Sequence, residues 1–232
     1  MSDPNDLSYI LIPGAGGMAW YWHRVLPLLE HSQREAITVD LPGDDESAGL
    51  DRYAEIVLRE IGQRTNVTLV AQSLGAFTAA VVCDRISVGK LIFVNAMIPV
   101  PGETAGDWWG NTGATRARIV AAESAGYGTE FDLQTYFLHD LPEGILRSAP
   151  AHQRDEAEIV FRQSCNFRGW PQIPIRVIAS ADDRFFPLEF QKRVARARLK
   201  TDVHVIRGGH LVALSNPEGL VEQFLGYEHE WD

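Results

Sequence analysis

The chain has 232 residues, 45% of them hydrophobic, enough for one α/β domain with a sizeable buried core. A formal charge of −10 offers no electrostatic footprint for nucleic acid or an anionic membrane surface, and two cysteines, Cys83 and Cys165, give neither a disulfide framework nor a metal-ligand spacing. The opening MSDPNDLS has no basic or apolar leader region and no later run reaches membrane-spanning length, so the expectation is a soluble, cytoplasmic protein.

The first apolar run predicts a strand over 9–12, opening into the glycine-rich loop Pro13-Gly14-Ala15-Gly16-Gly17. That loop lacks both the G-K-[ST] ending of a phosphate loop and the G-x-G-x-x-G spacing of a dinucleotide site. A helix is expected over 22–30, a strand over 36–39 and a helix over 50–64. The strand predicted over 67–70 runs into Ala71-Gln72-Ser73-Leu74-Gly75 and then a small-residue helix over 76–85. This is one substitution from the G-x-S-x-G turn that lifts a serine hydroxyl above the end of a parallel sheet, with Gly75 and Ala76 small enough for close helix–strand approach. A further strand is expected over 91–94.

Between residues 97 and 170 the alternation of strand and helix stops. The segment carries Trp108, Trp109, Phe131, Tyr136 and Phe137, more apolar bulk than a solvated excursion needs. It reads as an inserted helical cap, with its own small core and a face over an apolar pocket. The alternation then resumes with strands over 175–179 and 203–206 and helices over 188–197 and 217–224. The basic run from Lys192 to Arg198 reads as the solvated face of its helix. Continuous rather than alternating hydrophobicity implies strands covered on both faces, hence a single doubly wound, mainly parallel sheet.

A serine hydroxyl needs a histidine base and a carboxylate to orient that base, here in the chain order serine, acid, histidine. Of seven histidines, only His210 follows a glycine pair just past a strand and lies after a candidate acid. The acid loop offers Asp182 and Asp183; two adjacent buried carboxylates would repel, so one should turn to solvent or to Arg184, and Asp183 is favoured as the partner. Backbone amides of Leu74, at the start of a helix, and Ala15, in the glycine-rich loop, are the candidate oxyanion donors. Expected substrate contacts are Trp20, Phe77, Met97, Ile98, Trp108, Trp109 and the cap aromatics Tyr136 and Phe137, with His139 as a donor to a substrate oxygen. No metal or organic cofactor is required by this chemistry.

Taken together, the chain resembles the α/β-hydrolase superfamily nearly end to end. Its Pro13–Trp22 segment, followed by Leu26-Pro27-Leu28-Leu29-Glu30, is similar to the opening of the plant methylesterase and hydroxynitrile lyase group. The resemblance implies a six-stranded sheet, no cofactor, a small-molecule ester substrate and a monomer or homodimer. It also implies Ala15 and Leu74 as oxyanion donors and, from Asp-Asp-Arg-Phe-Phe-Pro, Asp183 as the acid. The alternative acid position after the preceding strand is held here by Asn95. The related lyases tend to place Thr where this chain has Gly14 and a pocket-facing Lys between acid and histidine, where only Lys192 and Lys200 occur. Three functions follow: a serine esterase, foremost; a lyase or carbon–carbon bond hydrolase; and a ligand-binding receptor or scaffold on the same fold.

Overall fold

In the computed structural model, which describes residues 7–230, six strands form one all-parallel sheet in the order β2-β1-β3-β4-β5-β6. They are β1 (Ser8–Ile12), β2 (Glu35–Thr38), β3 (Val67–Gln72), β4 (Lys90–Val94), β5 (Ile175–Ser180) and β6 (His204–Ile206). Side chains alternate between two cores, as a period of two requires. Ile10, Ile12, Leu69, Ala71, Leu91 and Phe93 enter one. Tyr9, Leu11, Val70, Ile92 and Val94 enter the other. Both faces are therefore dry, which is why these strands read as unbroken apolar runs.

Helices α2 (Leu50–Ile61) and α3 (Gly75–Arg85) pack on the first face with α9 (Leu188–Leu199). Helices α1 (Leu26–His31) and α11 (Pro217–Glu230) pack on the second, with the short α10 (Val212–Ser215). Gly75 is required where α3 leaves the sheet, since a Cβ there would lie 2.5 Å from the Pro13 carbonyl oxygen. Three helix boundaries differ clearly from expectation, one being the last helix, expected over 217–224, which runs on to Glu230. The helix expected over 22–30 begins at Leu26, because Pro27 stands in its first turn and cannot continue a helix from Trp22, which instead ends a 3-10 turn, Ala19–Trp22. The helix expected over 50–64 stops at Ile61, where Gly62 turns to φ 59°.

Between β4 and β5 the chain forms helices α4 (Ala105–Thr112), α5 (Ala114–Ala125), α6 (Leu133–Tyr136), α7 (Glu143–Ser148) and α8 (Glu158–Arg162), the cap over the ends of the strands. Its base is pinned by Arg198 of α9, which donates to Glu103 (Nη2–Oε1 2.8 Å) and to the Ile98 carbonyl (2.6 Å). Arg198 thus departs from the solvated face expected for its helix: its side chain is 10% exposed and that of Glu103 is 2% exposed. Cys83 and Cys165 are unpaired, and burial pushes both thiols up to about 12. Among the described residues, no helix is long and apolar enough to cross a membrane.

Candidate active site

Ser73 sits at the turn from β3 to α3 with φ 48°, a left-handed conformation rare for a residue with a side chain. Such strain costs on the order of 1–3 kcal/mol and persists only where neighbours over-determine it. Here they do. The Ser73 amide donates to Val94 O at 3.1 Å, and its carbonyl accepts from Met97 N at 2.9 Å and Ala76 N at 3.3 Å. The end of β4 therefore clamps the turn on both sides of the serine.

The three residues expected to act together come from loops after β3, β5 and β6. His210 Nδ1 lies 2.9 Å from Asp183 Oδ2, and His210 Nε2 lies 3.1 Å from Ser73 Oγ. A carboxylate can only accept, so Asp183 assigns the ring proton to Nδ1 and leaves the Nε2 lone pair facing the serine hydroxyl. Asp183 is itself held by the amides of Phe185 (2.9 Å) and Phe186 (2.8 Å) and by Gln191 Nε2 (3.2 Å). His210 is 1% exposed and Asp183 4% exposed. The rings of Phe137, Phe185 and Phe186 surround the imidazole edge-on at 4.9, 5.1 and 5.0 Å. Asp182 turns outward to solvent and accepts from Gly208 N at 3.2 Å.

Asn95, at the alternative acid position, does structural work. Its Nδ2 reaches Ser180 Oγ (2.9 Å), His210 O (3.1 Å) and Gly209 O (3.2 Å), while its Oδ1 accepts from Ser180 N (2.8 Å). It ties the end of β5 to the histidine loop. The cap grips that loop too: His139 Nε2 donates to Asp182 O at 3.1 Å, and Asp140 accepts from the Gly209 amide.

Beside the serine lies a cavity of about 360 Å³, bounded on the core side by Gly14, Ala15, Trp20 and Gln72 and on the cap side by residues that include Phe137 and Glu156. Ala15 is exposed at its wall, and the Leu74 amide stands at the N-terminus of α3. Among the described residues, neither amide donates to a protein acceptor. Gly14 is fitted to its neighbours, since a Cβ there would meet Gln72 Oε1 at 2.2 Å and Ser73 Cβ at 2.9 Å.

Of the residues expected to touch substrate, Trp20 lines the cavity; its ring is stacked between His23 (4.6 Å) and His152 (4.5 Å) and presents only an edge. Phe137 of the cap lines it too. The other seven are corrected by the packing. Phe77 and Trp108 are fully buried and Met97 and Ile98 nearly so, in the core between α3, α4 and α9, with Trp108 Nε1 donating to Ile98 O at 3.0 Å. Trp109 packs on Phe185 and Phe186 at 5.3 and 5.6 Å. Tyr136 is fully buried, its hydroxyl donating to Gly128 O at 2.6 Å under the Arg118 guanidinium. His139 contacts the acid loop instead of the cavity. The rest of the apolar lining comes from Phe131, Leu133 and Leu138 of the cap and from Leu211 and Leu214 next to the histidine. The hydrophobic segment after His210 was the one signal for the last two. Lys192 pairs with Glu189 at 2.7 Å and Lys200 donates to Ala197 O at 3.2 Å, so neither is directed to the cavity.

Comparison with known proteins places residues 9–223 in agreement with the alpha/beta hydrolase family. Methylesterase 9 of Arabidopsis thaliana is 25% identical over 94% of this chain and 96% of its own length. The alpha-hydroxynitrile lyase of the same plant is 21% identical over 92% of this chain and 94% of its own length. Among solved structures, polyneuridine aldehyde esterase superposes with a TM-score of 0.77 at 18% identity, covering 95% of this chain and 98% of that one. A pyrethroid hydrolase from Sphingobium faniae JZ-2 superposes with a TM-score of 0.75 at 20% identity, covering 95% and 97%.

Proposed function

The chain belongs to the alpha/beta hydrolase family, and from that premise we propose that it is a carboxylic ester hydrolase for small apolar esters, with Ser73 as nucleophile. The observation that carries this reading is the buried relay Asp183–His210–Ser73, with heavy-atom separations of 2.9 and 3.1 Å, opening beside an apolar cavity. His210 Nε2 takes the Ser73 proton as Oγ attacks the ester carbonyl carbon. The carbonyl π pair moves onto oxygen, which the Ala15 and Leu74 amides stabilise. Collapse of this intermediate breaks the carbon–oxygen bond to the alcohol, which leaves with the proton from His210. Water, deprotonated by the same nitrogen, then attacks the acyl-serine and releases the carboxylic acid. Asp183 keeps the imidazole in the reactive tautomer and pairs with the imidazolium that forms in each step.

The family names of the relatives, methylesterase and aldehyde esterase, support ester hydrolysis. The lyase reading loses its two expected features: a Thr in place of Gly14 would meet Gln72, and both candidate lysines are engaged on the surface of α9. The test is turnover of a short-chain p-nitrophenyl ester by the wild type, Ser73→Ala and His210→Ala, with intact mass after fluorophosphonate treatment. Turnover lost in both variants, with one adduct on Ser73, supports the esterase. Folded protein giving neither turnover nor adduct refutes it and favours a ligand-binding role.

A further inference from the structure

Glu156 is a half-buried carboxylate that the proposed ester hydrolysis does not use, and it sits in the wall of the cavity. It comes from the cap, yet Oε2 accepts the Gly16 amide of the glycine-rich loop at 2.6 Å and Oε1 accepts the Tyr53 hydroxyl of α2 at 2.7 Å. The loop it holds is a tight turn. Gly17 N donates to Gly14 O at 3.1 Å and Gly16, in the third position, has φ 83°, the geometry of a type II turn.

In such a turn the first peptide, between Gly14 and Ala15, is fixed by the closing hydrogen bond, since its carbonyl is the acceptor. That same peptide carries the Ala15 N–H. The central peptide, between Ala15 and Gly16, is the one that can flip, because types I and II differ mainly in its orientation and glycine tolerates both. Glu156 binds the N–H of that central peptide. The backbone of the turn is packed tightly against the cap and the loop after β2: a Cβ on Gly16 would lie 2.4 Å from Arg154 O, and a Cβ on Gly43 would lie 2.4 Å from Gly16 O. The cap backbone is fastened there by Ala157 N donating to Gly43 O at 2.6 Å and by Arg154 bonding to Leu41 O and Asp40.

We infer that Glu156 is a positioning residue for the oxyanion turn: the closing bond fixes the Ala15 N–H within the turn, and Glu156, by accepting the Gly16 amide, fixes the turn as a body against the cap and α2, so that the cap must be seated for the Ala15 donor to be correctly placed. This rests on the esterase reading for its kinetic consequence, but not for the contact itself. The carboxyl's environment agrees with a strong, enclosed contact. Burial pushes it up to about 7 against the opposing pull of Tyr53, the Gly16 amide and Arg154.

Two isosteric variants isolate the acceptor: Glu156→Met keeps the side-chain length without it, and Glu156→Gln retains an amide oxygen for Gly16. For p-nitrophenyl ester hydrolysis at pH 8, Glu156→Met should lose about tenfold in kcat with KM within about twofold, less than the full loss of an oxyanion donor. Glu156→Gln should recover most of that loss. Equal kcat in the two variants, whether high or low, overturns the proposal, because it assigns the residue no role or one of charge or bulk. A second readout needs neither turnover nor the Met variant. In glycine-selective 15N spectra the Gly16 amide proton should show a titration step near pH 7 in the wild type, with Tyr53, Arg154, Asp40 and Asp44 as the neighbouring ionisable groups, and none in Glu156→Gln. No step in the wild type at any pH at which the protein stays folded overturns the contact. Absence of wild-type turnover with the step intact refutes the esterase reading alone.

Discussion

Exchanging Asp183 for Asn replaces an acceptor by a donor at a point where four donors converge. In the wild type the carboxylate accepts from Phe185 N, Phe186 N, Gln191 Nε2 and His210 Nδ1. The Asn oxygen can satisfy the two backbone amides through the Oδ1 position, which leaves its NH2 against Gln191 and His210 at the Oδ2 position. The imidazole relieves that clash by moving its proton from Nδ1 to Nε2. Nε2 then donates to Ser73 Oγ instead of accepting its proton, and general-base catalysis stops. The loss includes pairing of the imidazolium in a site where His210 is 1% exposed and water cannot substitute. Together these are expected to cut kcat by about 10⁴-fold, roughly 5.5 kcal/mol in the barrier. The matched control is Asp182→Asn, whose exposed carboxylate accepts one backbone amide at 3.2 Å; it should stay within about threefold of wild type. Both variants would be assayed at pH 8 on the same p-nitrophenyl ester, with thermal melting to establish folding. A folded Asp183→Asn protein within tenfold of wild type, or an Asp182→Asn protein that has lost activity, would refute the assignment of the acid.

Asn95→Asp puts a carboxylate oxygen against the Gly209 and His210 carbonyls in place of the donor that binds them. It should lower stability by about 2–3 kcal/mol, read as a shift in the urea midpoint, and an unshifted midpoint would remove Asn95 from its role as a tie. Arg198→Met leaves Glu103 buried without its cation and should destabilise by about 3–5 kcal/mol at pH 7. Burial pushes the Glu103 carboxyl up, and the bonds from Arg198 and Asn111 more than reverse this, leaving it below its ordinary value. Its contribution is therefore complete above the unfolded carboxyl range and fades as pH falls through the lowered folded value, so the gap between wild type and Arg198→Met should narrow in acid. A gap independent of pH between 7 and 3 in denaturant titrations would contradict that pairing.

The sheet was legible because its physics is local. Strands buried on both faces read as continuous apolar runs, and the parallel order requires a helix between each pair, so six runs and their intervening helices imply a doubly wound sheet. Ser73 and His210 were legible for the same reason: each follows a strand end, where loops of a parallel sheet converge on one edge. Asp182 and Asp183 differ by one position and share every local property. The backbone turn that buries one at 4% exposure and sends the other to solvent decided between them, in agreement with the resemblance.

The pocket was legible only at Trp20 and Phe137. Aromatic residues in a helical segment carry the same signal whether they fill a core or line a cavity, and only the seating of α4 on α9 and α3 determined that Trp108 and Phe77 are core. Glu156 gave no signal at all, since Gln153-Arg154-Asp155-Glu156 reads as a solvated polar run. It lies 140 positions from Gly16, and a hydrogen bond across that separation exists only once the cap is folded back over the strand ends. What the sequence determined by itself was whatever follows from periodicity and from chain order at strand ends. What only the tertiary structure decided was which polar groups lose water together, because desolvation depends on neighbours that no local pattern encodes.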